Sequence, residues 1–295
     1  MTPRWPVAVA TLLLVVAAIL PPLRLPRATF DYMVTFDVTQ SMNVTDVSLG
    51  GRAVSRLELA RAAMRAALRR LPCGSKVGWS YFADYRSFTL LLPIEVCANY
   101  DVLLSALDRI DGRMRWANAS NIDKGVYWAR RNALSLPDAD IVFFTDGQEA
   151  PPLPPGRPPM PDLPSSGAEG RRVGGWLIGV GGDRPSPIPK TDEAGVERGY
   201  WSADSVIQDP SLPPGTSHEQ LSELREAYLK SLATQMGLVY RRLDVESALT
   251  AALLEPRFAH RTQAQTDLGW LPALAGLSLL VWRFAPWPRR RPLMR

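Results

Sequence analysis

The stretch F-D-Y-M-V-T-F-D-V-T-Q-S, residues 30–41, decides the fold class. Residues 30–38 are a short β-rich run, and Asp37, Thr39 and Ser41 alternate where the run ends. A second stretch, D-I-V-F-F-T-D-G at residues 140–147, is a largely apolar run that also ends at an aspartate. These patterns predict two buried strands whose carboxyl ends carry polar side chains.

The remaining pattern alternates between strands and helices. Ser55 and Glu58 form a capping box at the start of an apolar helical repeat. This alternation predicts an α/β fold with a mostly parallel central sheet flanked by helices. The predicted helices cover residues 55–71, 100–110, 122–134, 219–236 and 244–254, and the other predicted strands cover 76–83, 86–93, 171–181 and 238–241.

Oxygen-bearing side chains follow several of these strands. In such sheets ligands bind beyond the carboxyl ends of the strands, so we expect these side chains to share one site. Carboxylates and hydroxyls suit Mg²⁺, or another divalent cation such as Mn²⁺ or Ca²⁺. Taken singly, Asp37 is as well explained as a loop cap and Asp146-Gly147 as an ordinary turn. The predicted metal ligands are Asp37, Thr39, Ser41, Ser120 and Asp146.

Two further side chains have two interpretations each. Trp116 is either an anchor for a partner near Ser120 or a buried side chain. Glu149 is either a gate beside the site or a solvated charge.

The charge of the chain is concentrated at its ends. The 295 residues carry a formal charge of +5, but residues 28–266 contain 26 basic and 28 acidic residues, a formal charge of −2. This acidic body argues against nucleic-acid binding, which needs a basic surface. Two cysteines and two histidines, His218 and His260, argue against a cysteine or histidine metal cluster.

Apolar segments lie near both ends. Residues 5–23 and 268–287 predict membrane-spanning helices, although the first segment also suits a cleaved signal peptide and the second a buried core helix. Arg289–Arg291 favour a cytoplasmic C-terminus, which places the domain outside the inner membrane, in a bacterial periplasm. The predicted organisation is an anchor at 1–27, a domain at 28–256, a linker at 257–267, a second span at 268–287 and a basic cytoplasmic tail at 288–295.

An oxidising compartment would permit a disulfide between Cys73 and Cys97. The alternative is two separate buried thiols. Two long loops are also expected: residues 151–164, with eight prolines, and residues 185–214.

The spaced polar residues resemble the metal-ion-dependent adhesion site of von Willebrand factor type A (VWA) domains, D-x-S-x-S, then T, then D. Thr39 and Ser120 stand where serine and threonine are usual, and both keep the hydroxyl. The resemblance implies a Rossmann-like VWA fold and a metal-dependent, non-catalytic binding function.

Further motifs resemble the MxaL family of methanol-oxidation accessory proteins. They are D-V-T-Q-S-M-N, S-R-L-E, L-P-C-G-S-K-V-G, E-V-C-A-N, R-M-R-W and T-D-G-Q-E-A-P-P. That resemblance implies a membrane-associated protein that helps to assemble periplasmic methanol dehydrogenase or to supply its Ca²⁺. Its partners would be that enzyme or other assembly factors.

Two alternative functions remain. A phosphatase of the haloacid dehalogenase type would need a second aspartate where Thr39 stands. A general VWA scaffold or stress protein that works with a MoxR-type AAA ATPase would use the same metal site.

Overall fold

The computed structural model describes residues 5–154, 156, 158, 160, 161, 172–213 and 215–285. Its helices are α1 (Trp5–Ile19), α2 (Arg56–Leu68), α3 (Tyr100–Asp108), α4 (Ile122–Leu134), α5 (Glu226–Gln235), α6 (Glu246–Leu253) and α7 (Trp270–Phe284). Its strands are β1 (Leu23–Thr29), β2 (Asp31–Asp37), β3 (Val47–Leu49), β4 (Arg52–Val54), β5 (Lys76–Ala83), β6 (Arg86–Glu95), β7 (Asp140–Thr145), β8 (Gly175–Gly179), β9 (Ser186–Pro187), β10 (Pro189–Thr191), β11 (Glu197–Tyr200), β12 (Leu221–Ser222), β13 (Val239–Arg242) and β14 (His260–Thr266).

A six-stranded sheet forms the centre of the fold, in the order β13-β8-β7-β2-β5-β6. Strand β2 pairs in parallel with both β5 and β7, so that Val34 lies between Trp79 and Val142. Only the edge strand β6 runs antiparallel in this sheet as described. The predicted α/β fold with a mostly parallel sheet is therefore confirmed.

Alternation along the central strands supplies two hydrophobic cores. Val142 and Phe144 of β7 belong to one core, and Ile141 and Phe143 belong to the other. In the first core, Phe36 stacks on Phe144 with ring centroids 5.1 Å apart. Every residue of β2 is buried, because helices cover both faces of the sheet.

The structure differs from the sequence-based prediction after β8. Helix α5 begins at Glu226 rather than at residue 219, because Leu221 and Ser222 form β12 and pair with β9. The segment 185–214, predicted as a loop, contains β9, β10 and β11 in two small antiparallel sheets. We refer to residues 182–224 as the insertion.

The terminal segments differ from the predicted spans. The chain divides into two compact units, residues 28–261 and a second unit made of residues up to 27 and from 262 onwards. In the second unit α1 contacts α7, and a Cβ added at Gly276 would lie 3.0 Å from the backbone oxygen of Ala10. Residues 257–267, predicted as a linker, contain most of a short 3₁₀ turn and strand β14, which pairs with β1.

Helices α1 and α7 have 15 residues each, fewer than the ~20 that a typical span needs. Helix α1 stops before Pro21 and Pro22, which cannot donate backbone hydrogen bonds. No helix in the described part of the chain is long and apolar enough to cross a membrane, so the predicted spans at 5–23 and 268–287 are not supported. Trp287 and Arg289–Arg291 lie outside the described residues.

The predicted disulfide is confirmed. The Cys73 and Cys97 sulfurs are 2.01 Å apart, and the two residues are separated by 24 positions in the chain. Cys73 follows α2 and Cys97 follows β6, so the bond ties a helix end to the edge of the sheet. In the proline-rich segment 151–164, residues 155, 157, 159 and 162–164 lie outside the described residues.

Candidate functional site

The loop after β2 brings three of the predicted ligands together. The Asp37 Oδ1 atom accepts hydrogen bonds from the Thr39 backbone N–H at 2.9 Å and from the Thr39 hydroxyl at 2.7 Å. The hydroxyl oxygens of Thr39 and Ser41 lie 3.3 Å apart. The loop turns in a short 3₁₀ segment, Gln40–Asn43, which places both hydroxyls near the Asp37 carboxylate.

Thr145, the last residue of β7, completes this cluster. Its hydroxyl donates to Asp37 Oδ2 at 2.7 Å and accepts from the Gly147 N–H at 3.0 Å. The neighbouring parallel strands β2 and β7 therefore meet at the Asp37 carboxylate. A carboxylate has about four acceptor positions, and three of those on Asp37 are used, so one remains for another ligand.

Ser120 reaches the site through backbone pairing with two neighbouring segments. Its N–H donates to the Ala150 oxygen at 2.7 Å, and the Ala150 N–H donates to the Ser120 oxygen at 2.8 Å. On its other side it bridges to Asp84 in the turn between β5 and β6. Ser120 is 3% exposed, and its hydroxyl has no hydrogen-bond partner among the residues described.

Asp146 is fully buried, and its carboxylate is bound by protein groups outside the predicted ligand set. Its Oδ2 atom accepts from Arg56 Nη1 at 2.5 Å and from the Ser222 hydroxyl at 3.1 Å, and its Oδ1 accepts from the Gln148 N–H at 3.0 Å. The structure thus places Asp146 beside the site with both carboxylate oxygens engaged by the protein.

Arg56, the first residue of α2, is fully buried beneath the site. Its guanidinium also donates to both carboxylate oxygens of Asp46, at 2.9 and 2.6 Å. Burial opposes the charge of Arg56, but the hydrogen bond to Asp46 and the charges of Asp146 and Asp46 raise its pKa above the ordinary value. Arg56 thereby neutralises much of the negative charge that Asp146 would otherwise bring to the site.

The insertion contacts the loop after β2 through Gln40. The Gln40 Oε1 atom accepts from the Thr191 N–H at 2.8 Å and from Trp201 Nε1 at 3.2 Å, while its Nε2 donates to Asn118 Oδ1 at 2.5 Å. The insertion is therefore fastened directly to the loop that carries Thr39 and Ser41.

A cleft of about 250 Å³ opens above these groups. Thr39, Ser41 and Ser120 all line it. The other lining residues are Gln40, Asn118, Ala119, Gln148, Glu149, Ala150, Pro151, Pro152, Ile188, Trp201, Ser205, Val206, Ile207 and Glu219.

Burial dominates the electrostatics of the Asp37 carboxyl. Burial, followed by the charge of Asp146, raises the pKa of the Asp37 carboxyl above its ordinary value, although hydrogen bonds from Thr39 and Thr145 oppose this. A positive ion beside Asp37 would offset the cost of its buried charge. The free hydroxyl of Ser120 and the adjacent hydroxyls of Thr39 and Ser41 are oxygen donors that fit Mg²⁺, Mn²⁺ or Ca²⁺.

Glu149 and Trp116 can now be placed. Glu149 lines the cleft, and burial raises the pKa of its carboxyl to about 8, although a hydrogen bond from Tyr228 opposes the shift. It is therefore not a solvated charge. Trp116 is 47% exposed and packs edge-on against Phe88, with ring centroids 4.9 Å apart, so it is not a core residue.

The predicted ligand set leaves out Thr145, Arg56 and Gln40, which the structure places at the site. Thr145 stands next to Asp146 at the same strand end, so its position was a usable signal. Arg56 lies in the motif S-R-L-E, but its partners Asp46 and Asp146 are 10 and 90 residues away. Only the fold reveals that pairing.

Comparison with known proteins agrees with this architecture. Residues 32–148 match the family model of the von Willebrand factor type A domain, and this span contains all five predicted ligands. Over 250 residues the chain is 26% identical to a UPF0353 protein of Mycolicibacterium paratuberculosis, with 78% of this chain and 68% of that protein covered. A UPF0353 protein of a Mycobacterium species gives the same identity and coverage.

Two solved structures share the fold. One is an aerotolerance-related membrane protein from Bacteroides fragilis, 20% identical, with a TM-score of 0.52. The other is the conserved hypothetical protein BatB from Bacteroides thetaiotaomicron, 18% identical, with a TM-score of 0.54. Each match covers 77% of this chain and 98% of the other. Residues 32–148 thus match the VWA family model, and the chain has the α/β fold of these two structures. The relatives named here do not bear the names of methanol-oxidation proteins.

Proposed function

We propose that this VWA domain binds a protein partner through a divalent cation, Mg²⁺ in the first instance, and that it is not an enzyme. Asp37, Thr39, Ser41 and Ser120 would hold the cation, with Asp146 beside them. When bound, the cation would supply a Lewis-acidic position that accepts a carboxylate from the partner.

One observation carries this proposal. Three hydroxyl-bearing residues from two separate loops, Thr39, Ser41 and Ser120, line one cleft, and the Asp37 carboxylate that binds Thr39 is buried. The Ser120 hydroxyl is buried without a hydrogen-bond partner in the described structure, which is costly unless a ligand satisfies it. A hard cation provides that ligand.

The cleft suits part of a protein partner better than a large cofactor. Its volume, about 250 Å³, lies below the range of about 300–1,000 Å³ that is usual for small-molecule sites. Its walls include apolar side chains from the insertion and from the segment after β7. We therefore expect the partner to present an aspartate or glutamate flanked by an apolar residue. The apolar walls comprise Pro151, Pro152, Ile188, Trp201, Val206 and Ile207.

The lining of the cleft supports binding rather than catalysis. Its ionisable side chains are two acids, Glu149 and Glu219, and no histidine, cysteine or lysine occurs among its lining residues. Both cysteines of the chain are joined in the disulfide. A nucleophile paired with a base, as acyl or phosphoryl transfer commonly requires, is thus not assembled in the cleft as described.

The partner that we propose is periplasmic methanol dehydrogenase or an assembly factor for it, with a role in assembly or Ca²⁺ insertion. The resemblance of the sequence motifs to the MxaL family supports this role. The disulfide supports an oxidising compartment such as the periplasm. It also argues against the alternative partner, a MoxR-type ATPase, because ATP is hydrolysed in the reducing cytosol.

Metal-dependent capture tests the proposal. The full chain is immobilised and exposed to a periplasmic extract that contains methanol dehydrogenase, in Mg²⁺ or in EDTA. We expect retention of the dehydrogenase in Mg²⁺ only, and loss of retention in Asp37→Ala and Ser120→Ala. Ser135→Ala, at the distal end of α4, is the matched control.

The outcomes separate the two parts of the proposal. Equal capture in EDTA and by both site variants would rule out a metal-dependent binding site. Metal-dependent capture of a different protein would retain the binding function and remove methanol dehydrogenase as the partner. Circular dichroism of each variant verifies that the domain is folded.

A further inference from the structure

Two arginines stack on one tryptophan beside the edge strand β6. The guanidinium carbon of Arg86, the first residue of β6, lies 4.7 Å from the centroid of the Trp128 ring, and that of Arg131 lies 5.0 Å from it. Arg86 also lies 5.5 Å from the ring of Tyr85. Both arginines are exposed, and no ion pair in the described part of the chain involves either of them. Stacking thus holds two positive charges at the surface without a carboxylate partner.

An exposed aromatic cluster lies next to these arginines. Phe88 is two residues beyond Arg86 in β6, so the two side chains lie on the same face of the strand. Phe88 and Trp116 are 40% and 47% exposed, and their rings pack edge-on. Trp116 also packs edge-on against Tyr81, with ring centroids 6.2 Å apart. Because these contacts fix the Trp116 ring, a partner that packs on it loses little side-chain entropy.

We call this surface the aromatic–arginine patch. It consists of Tyr85, Arg86, Phe88, Trp116, Trp128 and Arg131. Tryptophan, tyrosine and arginine are the residue types enriched where protein–protein interfaces gain most of their binding energy. Residues 28–266 carry a formal charge of −2, so two unpaired arginines on one surface differ from the rest of the domain. The composition therefore fits an acidic protein surface that also presents an apolar side chain.

The patch adjoins the proposed cation site. Tyr85 follows Asp84, and Asp84 bridges to Ser120. Helix α4, which carries Trp128, begins at Ile122, directly after the Ser120 loop. Trp128 is six residues further along this helix, about 9 Å from its start. A protein that places one carboxylate at the cation is therefore large enough to cover the patch as well.

We propose that the aromatic–arginine patch is a second contact surface for the protein partner. It binds an acidic segment whose carboxylates pair with Arg86 and Arg131 and whose apolar side chain packs on Phe88 and Trp116. The first contact, a carboxylate at the cation, rests on the proposed function. Binding at the patch itself needs no metal, so the two contacts can be measured separately.

A synthetic peptide of glutamates with one central phenylalanine tests the patch. Its binding to the full chain is followed by fluorescence anisotropy in EDTA at low salt. We expect Arg86→Glu/Arg131→Glu to weaken binding by about tenfold or more, because both attractive charges become repulsive. Binding by the wild type should weaken as NaCl is added. A peptide with lysines in place of the glutamates should not bind.

Arg241→Glu is the matched control. Arg241 is also exposed, and its guanidinium lies 5.6 Å from the ring of Trp176, but it belongs to β13 at the opposite edge of the sheet. This change should alter the affinity for the glutamate peptide by less than about twofold. Thermal unfolding in EDTA verifies that each variant is folded.

The outcomes distinguish the patch from the cation site. Mn²⁺ binding, followed by electron paramagnetic resonance, should be the same in the wild type and in Arg86→Glu/Arg131→Glu. If Mn²⁺ binds but the wild type does not bind the glutamate peptide, or the double variant binds it equally well, the patch is overturned and the proposed function stands. If the peptide binds and Mn²⁺ does not, the reverse holds.

Two other occupants are tested with the same variants. Wild-type binding to vesicles of anionic phospholipid that is lost in Arg86→Glu/Arg131→Glu, without peptide binding, would assign the patch to a membrane surface. Self-association that the double variant abolishes, measured by sedimentation, would assign it to a second copy of the chain. Either result would overturn the acidic partner.

Discussion

Arg56 connects the segment that leads into β3, the end of β7 and the insertion. Its guanidinium contacts Asp46, Asp146 and both the hydroxyl and the backbone oxygen of Ser222. A buried ion pair gives little net stability over an apolar replacement of both partners, but removal of one partner leaves a charge buried without compensation. The side chain of Arg56 therefore controls both the charge of the site and the attachment of the insertion.

The variant Arg56→Met tests this role. Loss of the guanidinium leaves the Asp146 carboxylate buried without a positively charged partner. The free energy of unfolding should therefore fall by about 3–5 kcal/mol. Arg52→Met is the matched control, because Arg52 pairs with Glu58 at the exposed surface. That change should cost at most about 1 kcal/mol. Urea denaturation measures both, and an equal effect of the two variants would contradict the role given to Arg56.

At the level of single residues, the sequence predicts side chains that act near their own strand end. Asp37, Thr39 and Ser41 lie within five positions, and their alternation indicates a shared site. The ion pair of Asp146 could not be predicted, because its partner Arg56 lies in a helix 90 residues earlier in the chain. A basic residue at the start of a helix ordinarily lies in solvent, and nothing in the local pattern marks Arg56 as buried.

Among the elements, α4 packs unusually close to the sheet. A Cβ added at Gly125 would lie 2.3 Å from the ring of Phe82 in β5, far inside van der Waals contact. Phe82 is itself fully buried and packs on Phe143 of β7, with ring centroids 5.5 Å apart. Because α4 follows directly after Ser120, the glycine also sets the distance between the Ser120 loop and the sheet.

The substitution Gly125→Ala should therefore destabilise the domain. Alanine favours a helix over glycine by about 1 kcal/mol, but overpacking of a dense core costs about 1–3 kcal/mol. We expect a net loss in the free energy of unfolding, and partial recovery in the double variant Gly125→Ala/Phe82→Leu. Lys124→Ala, one position earlier, should change stability by less than about 0.5 kcal/mol. A stabilised Gly125→Ala protein would show that the helix can move away from the sheet without cost.

The most regular elements have their predicted bounds, whereas the two-residue strands were not predicted. Helix α4 and strand β7 have the predicted bounds, since a 13-residue amphipathic repeat and a six-residue apolar run are distinctive. Strands β9 and β12 have two residues each and pair across 34 to 36 positions of the chain. A run of two residues is too short to show a periodic pattern, so no local pattern indicates that the insertion is ordered or that it contacts Gln40.

At the scale of the whole molecule, the disulfide and the sheet act on the same part of the chain. Cys73 and Cys97 close a loop that contains β5 and β6. By the chain-entropy estimate such a loop contributes about 3 kcal/mol, chiefly by restricting the unfolded chain. Both strands lie on the side of the sheet next to β2, and the turn between them bridges to Ser120. The bond therefore stabilises the strand pair that positions one of the predicted ligands.

The unit formed by residues 28–261 should fold and bind metal without the terminal segments. Every residue of the two hydrophobic cores lies between Phe30 and Ala259, and the disulfide and the five proposed metal ligands lie in the same range. Helices α1 and α7 contact each other in the other unit. A protein that consists of residues 28–261 should therefore unfold in urea as one cooperative transition with the midpoint of the full chain, and bind Mn²⁺ with the same affinity. A broad transition, or loss of Mn²⁺ binding together with a lowered midpoint, would mean that the terminal segments stabilise the domain.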